Sequence, residues 1–342
     1  MRAMAMHGHG GPEVLRAGEL PEPEPLPGTA VVRVRAVALN HLDIWVRRGW
    51  PGLKLAMPHV LGADVAGVVV AVGAGVDPAR VGEEVVLSPG VSCGACEECL
   101  SGRDNLCRTY GILGEHLPGG YAELVRVPVA NLLAKPAALS FEEAACIPLV
   151  FLTAWHALVA RAGLRAGETL LVHAAGSGVG SAAVQIGKLL GARVVATAGS
   201  DPKCDKARAL GADHAIQYER QDFPAEVKAW TGRRGVDVVL EHTGQATWEK
   251  SLLALRGGGR LVTVGATTGH DARTDLRHVF YRQLSLLGST MGSKGELFEV
   301  LRFVAEGRLR PVLDRCLPLA EAVRAQELLS RREQFGKLVL VP

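Results

Sequence analysis

The stretch from Thr169 to Gly180, Thr-Leu-Leu-Val-His-Ala-Ala-Gly-Ser-Gly-Val-Gly, narrows what this chain can fold into more than any other. Leu170 to His173 is an apolar run long enough for a buried strand and too short for a helix. Beyond the glycines, Ala183, Val184, Ile186, Gly187 and Leu190 recur at helical spacing, and Arg193 to Thr197 is a second strand-like run. Strand, turn, helix and strand together span roughly thirty residues, the length of a βαβ crossover. In that context Gly176, Gly178 and Gly180 predict a tight turn that lets the backbone approach a pyrophosphate. The N–H groups of Ser177, Gly178 and Val179 then face the phosphates from the helix N-terminus. A glycine-rich corner alone is weak; between two strands and opening a helix it predicts a dinucleotide site.

The length, 342 residues, exceeds one ordinary core and predicts two domains. With 48% hydrophobic and 21% charged residues the chain is globular in composition. Its net charge of +3 is spread without a basic block, which argues against nucleic acid or a membrane surface as partner. The first residues hold no sustained apolar segment, and Leu170 to Ser200 is interrupted by glycines, Gln185 and Lys188. The expected location is the cytoplasm.

Residues 1–140 read as short strands punctuated by glycine and proline: Thr29–Ala38, His59–Val72, Val81–Leu87 and Gly120–Pro128. That rhythm suits a rolled antiparallel sheet. From Ser140 it changes. Phe141 to Ala162 reads as one helix, after which strands alternate with helices at Leu170–His173, Val194–Thr197, His214–Gln217, Val236–Glu241, Arg260–Val264 and Leu284–Gly288. Such alternation predicts a doubly wound parallel sheet, so the fold class is α/β. A helix at Leu319–Arg332 and a strand at Lys337–Val341 close the chain.

Four of seven cysteines stand together as Cys93-x2-Cys96-x2-Cys99-x7-Cys107 in a glycine-rich loop. Four thiolates so close suit one closed tetrahedral zinc, which is structural because protein fills every position. Disulfides are disfavoured without a secretion signal, and an iron–sulfur site needs a shorter last gap, usually followed by proline where Arg108 stands. Cys146, Cys204 and Cys316 are isolated and read as small apolar fillers.

These features, with the Gly62-x4-Gly67 run, Gly120-Tyr-Ala-Glu and the closing Gly336-Lys-Leu-Val-Leu340, resemble the zinc-containing alcohol dehydrogenase family of medium-chain dehydrogenases/reductases over essentially the whole chain. The resemblance implies a GroES-like β-rich catalytic domain, residues 1–148 and 291–342 with a zinc lobe at 90–110, and a Rossmann coenzyme domain at 149–290. Hydride transfer in the cleft and a homodimer or homotetramer are implied as well. Thr153 stands where the family contacts the nicotinamide amide. Gly265, Ala266 and Ser289 should line the same ring, and Lys337 resembles a basic residue that reaches the pyrophosphate.

One departure outweighs the matches. Zinc-dependent relatives surround a catalytic zinc with a cysteine, a histidine and a third ligand. The corresponding positions here are Asn40, Ala63 and Leu149 or a neighbour, none of which meets that need. The segment Asn40-x2-Asp43-x3-Arg47-x-Gly49 and Gly265-Ala-Thr-Thr-Gly269 instead resemble the quinone oxidoreductase branch, which has no catalytic metal. A Lewis acid is worth several kcal/mol to such a reaction, so its loss favours reduction of an already polarised enone, quinone or carbonyl. Asn40 is then the expected oxyanion donor or substrate-orienting group. His41 is a candidate phosphate contact or proton relay, and Asp43 and Asp64 complete the catalytic candidates. Three readings stay open: this reductase, an alcohol or aldehyde dehydrogenase with an atypical metal bound through Asp43, Asp64, His41 or His59, and a non-catalytic NADPH-binding sensor.

The second strand ends Val195-Ala-Thr-Ala198 with no acid to hold the adenine ribose hydroxyls. An acid there would repel a 2′-phosphate by roughly 4 kcal/mol at 4 Å under an effective dielectric of 20. Ser200 and Lys203 follow instead, so NADP(H) is expected over NAD(H), with Asp201 able to reverse the preference by turning inward.

Overall fold

A computed structural model describes residues 1–342, which separate into two compact units. One joins Met1–Leu149 to Ser293–Pro342; the other is the continuous segment Val150–Gly292.

In Val150–Gly292, six parallel strands lie in the order His214–Gln217, Arg193–Ala198, Thr169–Val172, Val236–Glu241, Leu255–Thr263, Ser285–Gly288. That order is the doubly wound Rossmann arrangement, and its switch point lies between Thr169–Val172 and Val236–Glu241. Both strands are buried along their whole length, as helices on both faces of a parallel sheet require. Leu171, Val195, Val239 and Leu261 join Phe223 and Val227 of a flanking helix in one core.

The other unit is β-rich. A sheet runs Leu132–Ala134, Glu84–Leu87, Asp64–Val72, Thr29–Ala38, Lys337–Val341, Leu313–Pro318, with Leu124–Pro128 also paired to Thr29–Ala38. Ala38 is a point of convergence in this sheet. It stands opposite Asp64 in one neighbouring strand and opposite Val339 in the other. Three chain segments distant in sequence therefore end side by side.

The expected helix Phe141–Ala162 is broken. It forms Phe141–Ala145 and Pro148–Trp155, then widens into a π-helix at His156–Arg161. Pro148 supplies no N–H and restricts Ile147, which ends the first piece. The strand expected over Gly120–Pro128 is regular only from Leu124. The N–H groups of Gly120 and Tyr121 are taken by the carbonyls of Gly62 and Leu61, at 2.9 and 2.8 Å. No helix is long and apolar enough to cross a membrane.

Candidate active site and cofactor site

The paired strand ends create a buried polar cluster in the β-rich unit. Asn40, Asp64 and Lys337 are 5%, 0% and 3% exposed. Lys337 Nζ donates to Asn40 Oδ1 at 2.6 Å and to Asp64 Oδ2 at 2.9 Å. Asn40 Nδ2 donates to the same Asp64 oxygen at 2.9 Å, while the N–H of Leu149 donates to Asp64 Oδ1 at 2.7 Å. Two expectations need correction. Lys337 was expected to reach a cofactor pyrophosphate, but its ammonium is buried against a carboxylate that needs a counter-charge. Asn40 was expected as an oxyanion donor or substrate-orienting group; its amide is engaged by Asp64, Lys337 and, at 3.4 Å, the Ala38 carbonyl, which leaves the donor role no free N–H. Of the cluster's donors, Lys337 retains a third N–H beyond its two bonds.

Asp43 braces the cluster from the helix His41–Arg48. Its Oδ2 accepts from the Asn40 N–H at 2.7 Å and the Tyr121 hydroxyl at 3.1 Å, and its Oδ1 from the Gly62 N–H at 3.2 Å. Burial pushes this carboxyl up to about 6, against the Asn40 N–H, Lys337 and Tyr121, which favour the charged form. Gly62 holds φ +101°, and a Cβ there would stand 2.5 Å from the Tyr121 ring, so the approach requires glycine. His41, half-buried, sets its ring edge against Trp45 at 5.4 Å between centroids. His59 is buried, its Nε2 lying 3.2 Å from the Gly114 carbonyl. The atypical metal set of His41, His59, Asp43 and Asp64 does not converge as a group of ligand atoms; the four cysteines do.

The sulfurs of Cys93, Cys96, Cys99 and Cys107 all lie within 4.8 Å of one another. Cys93 and Cys99 are 3.9 Å apart and Cys96 and Cys99 are 3.5 Å apart. Zinc–sulfur bonds of about 2.3 Å in a tetrahedron set sulfurs about 3.8 Å apart, so the four fit one ion. The N–H groups of Ala95 and Cys96 hold the Cys93 thiol below its ordinary range, and the Cys93 N–H draws Cys107 down to about 6. Cys96 moves the other way, to about 11, against the pull of the Cys99 N–H, because its neighbouring sulfurs hydrogen-bond its protonated form, so it is the sulfur geometry that points to a metal.

In the Rossmann unit the helix Gly178–Leu189 opens at Ser177, whose Oγ accepts the Gly180 N–H at 2.9 Å. The first N–H groups of that helix have no intrahelical partner and are available to an anion. The left-handed residue of the turn is Ala174, at φ +44°, and not one of the three glycines. Gly180 is required for closeness: a Cβ there would stand 2.3 Å from the Ala174 carbonyl.

A buried relay beneath this turn escaped the sequence reading. The N–H of Ala174 donates to Thr197 Oγ1 at 3.2 Å, which lies 3.2 Å from His173 Nδ1. His173 Nε2 is 2.8 Å from Ser251 Oγ, and Ser251 donates to Glu241 Oε2 at 2.8 Å. The donors fix the directions. Glu241 can only accept, so Ser251 accepts from His173 Nε2–H, and Nδ1 accepts from Thr197. Burial keeps His173 neutral. Burial also raises the Glu241 carboxyl, but Thr247 and the N–H groups of Thr243 and Gly244 add further donors and hold it charged. A polar residue ending an otherwise apolar strand, His173, was the available signal.

Thr153 and Ser289, both expected near the nicotinamide, have spare capacity. Thr153 Oγ1 finds Met291 Sδ at 4.0 Å, a weak acceptor, and Ser289 Oγ is buried without a partner. Orphaned hydroxyls of this kind fit a bound amide. Gly265 and Ala266 follow the strand Leu255–Thr263, half-buried. Ser200 caps the helix Asp201–Ala209, where Lys203 lies on the first turn. Asp201 does not turn inward to a ribose: its Oδ1 accepts from Arg220 Nη2 at 2.5 Å on the surface. Tyr218 follows the strand His214–Gln217, and its hydroxyl lies 2.9 Å from where a Cβ on Gly199 would stand. Neither Tyr218 nor Arg220 was anticipated.

Residues 26–137 match the family model for an alcohol dehydrogenase GroES-like domain, and residues 178–306 the one for a zinc-binding dehydrogenase. The chain belongs to the zinc-type alcohol dehydrogenase family of the medium-chain dehydrogenase/reductase superfamily and is an NAD(P)-dependent oxidoreductase. Among its relatives is a crystal structure described as an NAD-dependent alcohol dehydrogenase, 55% identical, with a TM-score of 0.97 and full coverage of both chains. The acryloyl-coenzyme A reductase of Metallosphaera sedula is 32% identical over 99% of each chain. The quinone oxidoreductase of Homo sapiens is 28% identical over 100% of this chain and 98% of its own.

Proposed function

We propose that this protein is an NADPH-dependent reductase of polarised acceptors, an enone, quinone or reactive carbonyl, with one structural zinc and no zinc at the substrate. The observation that carries this reading is the Asn40–Asp64–Lys337 cluster. Zinc takes thiolate, imidazole or carboxylate, and Asn40, Ala63 and Leu149 supply none of these where a catalytic ion would need three. Of the two carboxylates nearby, Asp64 already has an ammonium and two N–H donors, and Asp43 is taken by the N–H groups of Asn40 and Gly62 and the Tyr121 hydroxyl. Two relatives named above carry the names of reductases of conjugated acceptors, which supports the reading, while the name alcohol dehydrogenase on the third pulls against it.

The nicotinamide, when bound, supplies a hydride. Gly178 and Val179 would offer N–H groups to its pyrophosphate at the helix N-terminus, with Ser177 and Gly180 shaping the turn, and Thr153 and Ser289 would hold its amide. Ser200, Lys203, Tyr218 and Arg220 would surround a 2′-phosphate, with Asp201 kept away by Arg220. Lys337 would face the developing oxyanion with its third N–H, its orientation fixed by Asn40 and Asp64, so that charge forms opposite a preorganised cation. Cys93, Cys96, Cys99 and Cys107 would hold the zinc.

The test is steady-state oxidation of NADPH and NADH against enones, quinones, aldehydes and alcohols, before and after mild chelation that spares the cysteine lobe. The expected result is enone or quinone reduction with NADPH preferred, unchanged by chelation or added zinc. Alcohol oxidation that chelation abolishes and zinc restores would overturn it.

A further inference from the structure

Away from the glycine turn, the Rossmann unit carries a second concavity rich in cations. It lies where the strands Val236–Glu241 and Leu255–Thr263 begin, whereas dinucleotides bind outside the carboxyl ends of such strands. Its volume is about 390 Å³, within the range of small-molecule sites. Lys228, Arg233, Arg234, Arg256, His278 and Arg282 line it, with Leu253 and Leu255 as apolar floor.

Three of these guanidiniums are fixed before any ligand arrives. Arg234 grips the buried Asp237 with both terminal nitrogens, at 2.9 and 2.7 Å, and Arg256 Nε reaches the same carboxylate at 2.5 Å. Arg282 is tied to the main-chain carbonyls of Leu252, at 2.8 Å, and Leu255, neutral acceptors that leave its charge uncompensated. Lys228 and Arg233 are exposed, and neither forms a close ion pair, although the Asp222 carboxylate lies within electrostatic reach of Lys228. Five permanent positive charges thus line the concavity; Asp237 is shared by two of them, and Glu168 and Asp222 act more weakly on Arg234 and Lys228, which leaves the cations in excess. A concave surface with this balance focuses a positive potential that concentrates anions. Prefixed guanidiniums match phosphate oxygens geometrically.

We infer that this pocket is a second ligand site of the protein, separate from the cofactor site, that takes a small soluble anion carrying two or more phosphates. Arg234, Arg256 and Arg282 would form its rigid wall, and Lys228 and Arg233 would close on the anion from solvent.

The experiment is calorimetric titration of inorganic pyrophosphate into the full chain at low salt, with NADPH saturating so that the cofactor's own phosphate turn is filled. One pyrophosphate per chain is expected, and Lys228→Glu/Arg233→Glu should weaken it by about tenfold or more while leaving the melting temperature unchanged. Because both positions are exposed, the variant should fold; if it does not, Lys228→Gln alone, with a smaller loss of affinity, serves in its place. No binding at about 10 mM would overturn the inference. So would equal binding to the variant, or binding seen only when NADPH is left out. A single-stranded oligonucleotide that displaces pyrophosphate and binds more tightly as it lengthens would also overturn it, by making the face a nucleic-acid surface.

Discussion

Replacing Lys337 by Met removes the one cation from a pocket that keeps a carboxylate fully out of water. Asp64 is 0% exposed, and the N–H groups of Leu149 and Asn40 would remain its sole donors. Breaking a buried ion pair on one side costs about 3–5 kcal/mol. Part of that is the Asn40 carbonyl oxygen, which loses its 2.6 Å donor and becomes a buried unsatisfied acceptor costing about 1–3 kcal/mol. In a unit of about 200 residues, 1 kcal/mol moves the melting temperature by about 2–4 °C, so Lys337→Met should lower it by roughly 10 °C. Trp45 and Trp50 belong to this unit, so their fluorescence follows it. Asp64→Asn alone should be comparably harmful, because it strands the ammonium. The double variant removes both charges and should recover about 2 kcal/mol relative to the sum of the singles. A Lys337→Met protein that melts within about 2 °C of the parent, or single losses that merely add, would refute the counter-charge assignment.

Three further outcomes are expected. Thr197→Val deletes the hydroxyl that accepts from Ala174 and donates to His173, so NADPH should bind about tenfold more weakly while turnover at saturation changes less; Thr197→Ser should restore affinity, and an unchanged Kd would break the link between relay and turn. Cys99→Ser should lower zinc from close to one per chain and lower the melting temperature with it, since the metal's binding energy is also folding energy; retention of both would show the ligand set to be wrong. Asp43 titrates near 6 when folded and about 3.9 when unfolded, so between these values the folded state binds more protons. Its contribution to stability therefore falls as pH rises from about 4 to about 6, by about 3 kcal/mol, and is flat above; Asp43→Asn should flatten that slope in denaturation measured across the same window.

What the sequence disclosed was whatever depends on near neighbours. The glycine turn declared itself because strand, Ser177 cap and Gly180 contact lie within twelve residues, and the cysteines because one ion needs four sulfurs from one loop. That Asn40 and Ala63 carry no zinc-ligating group was visible, but what surrounds them was not. Lys337 meets Asp64 across 273 residues, through a strand pairing that periodicity alone does not specify. The helix Phe141–Ala162 failed for a local reason in plain view, Pro148 inside an apolar run. His173 was counted as the end of a strand, and its partners Thr197, Ser251 and Glu241 come from three other elements that only the sheet order brings together.

That the β-rich unit is built from both ends of the chain sets an order on how the protein can be made. Residues Val150–Gly292 are continuous and hold all six strands of their sheet, so this unit can fold as soon as it emerges. The first 149 residues cannot finish, because the strand that carries Lys337 is translated nearly two hundred residues later. At synthesis rates of about 5–20 residues per second, Asp64 waits roughly fourteen to fifty-five seconds without its counter-ion. Throughout that interval the edge of Thr29–Ala38 that will receive Lys337–Val341 is unpaired and open to other chains. A chain cut short before Lys337 would carry a finished Rossmann unit and an unfinished β-rich one.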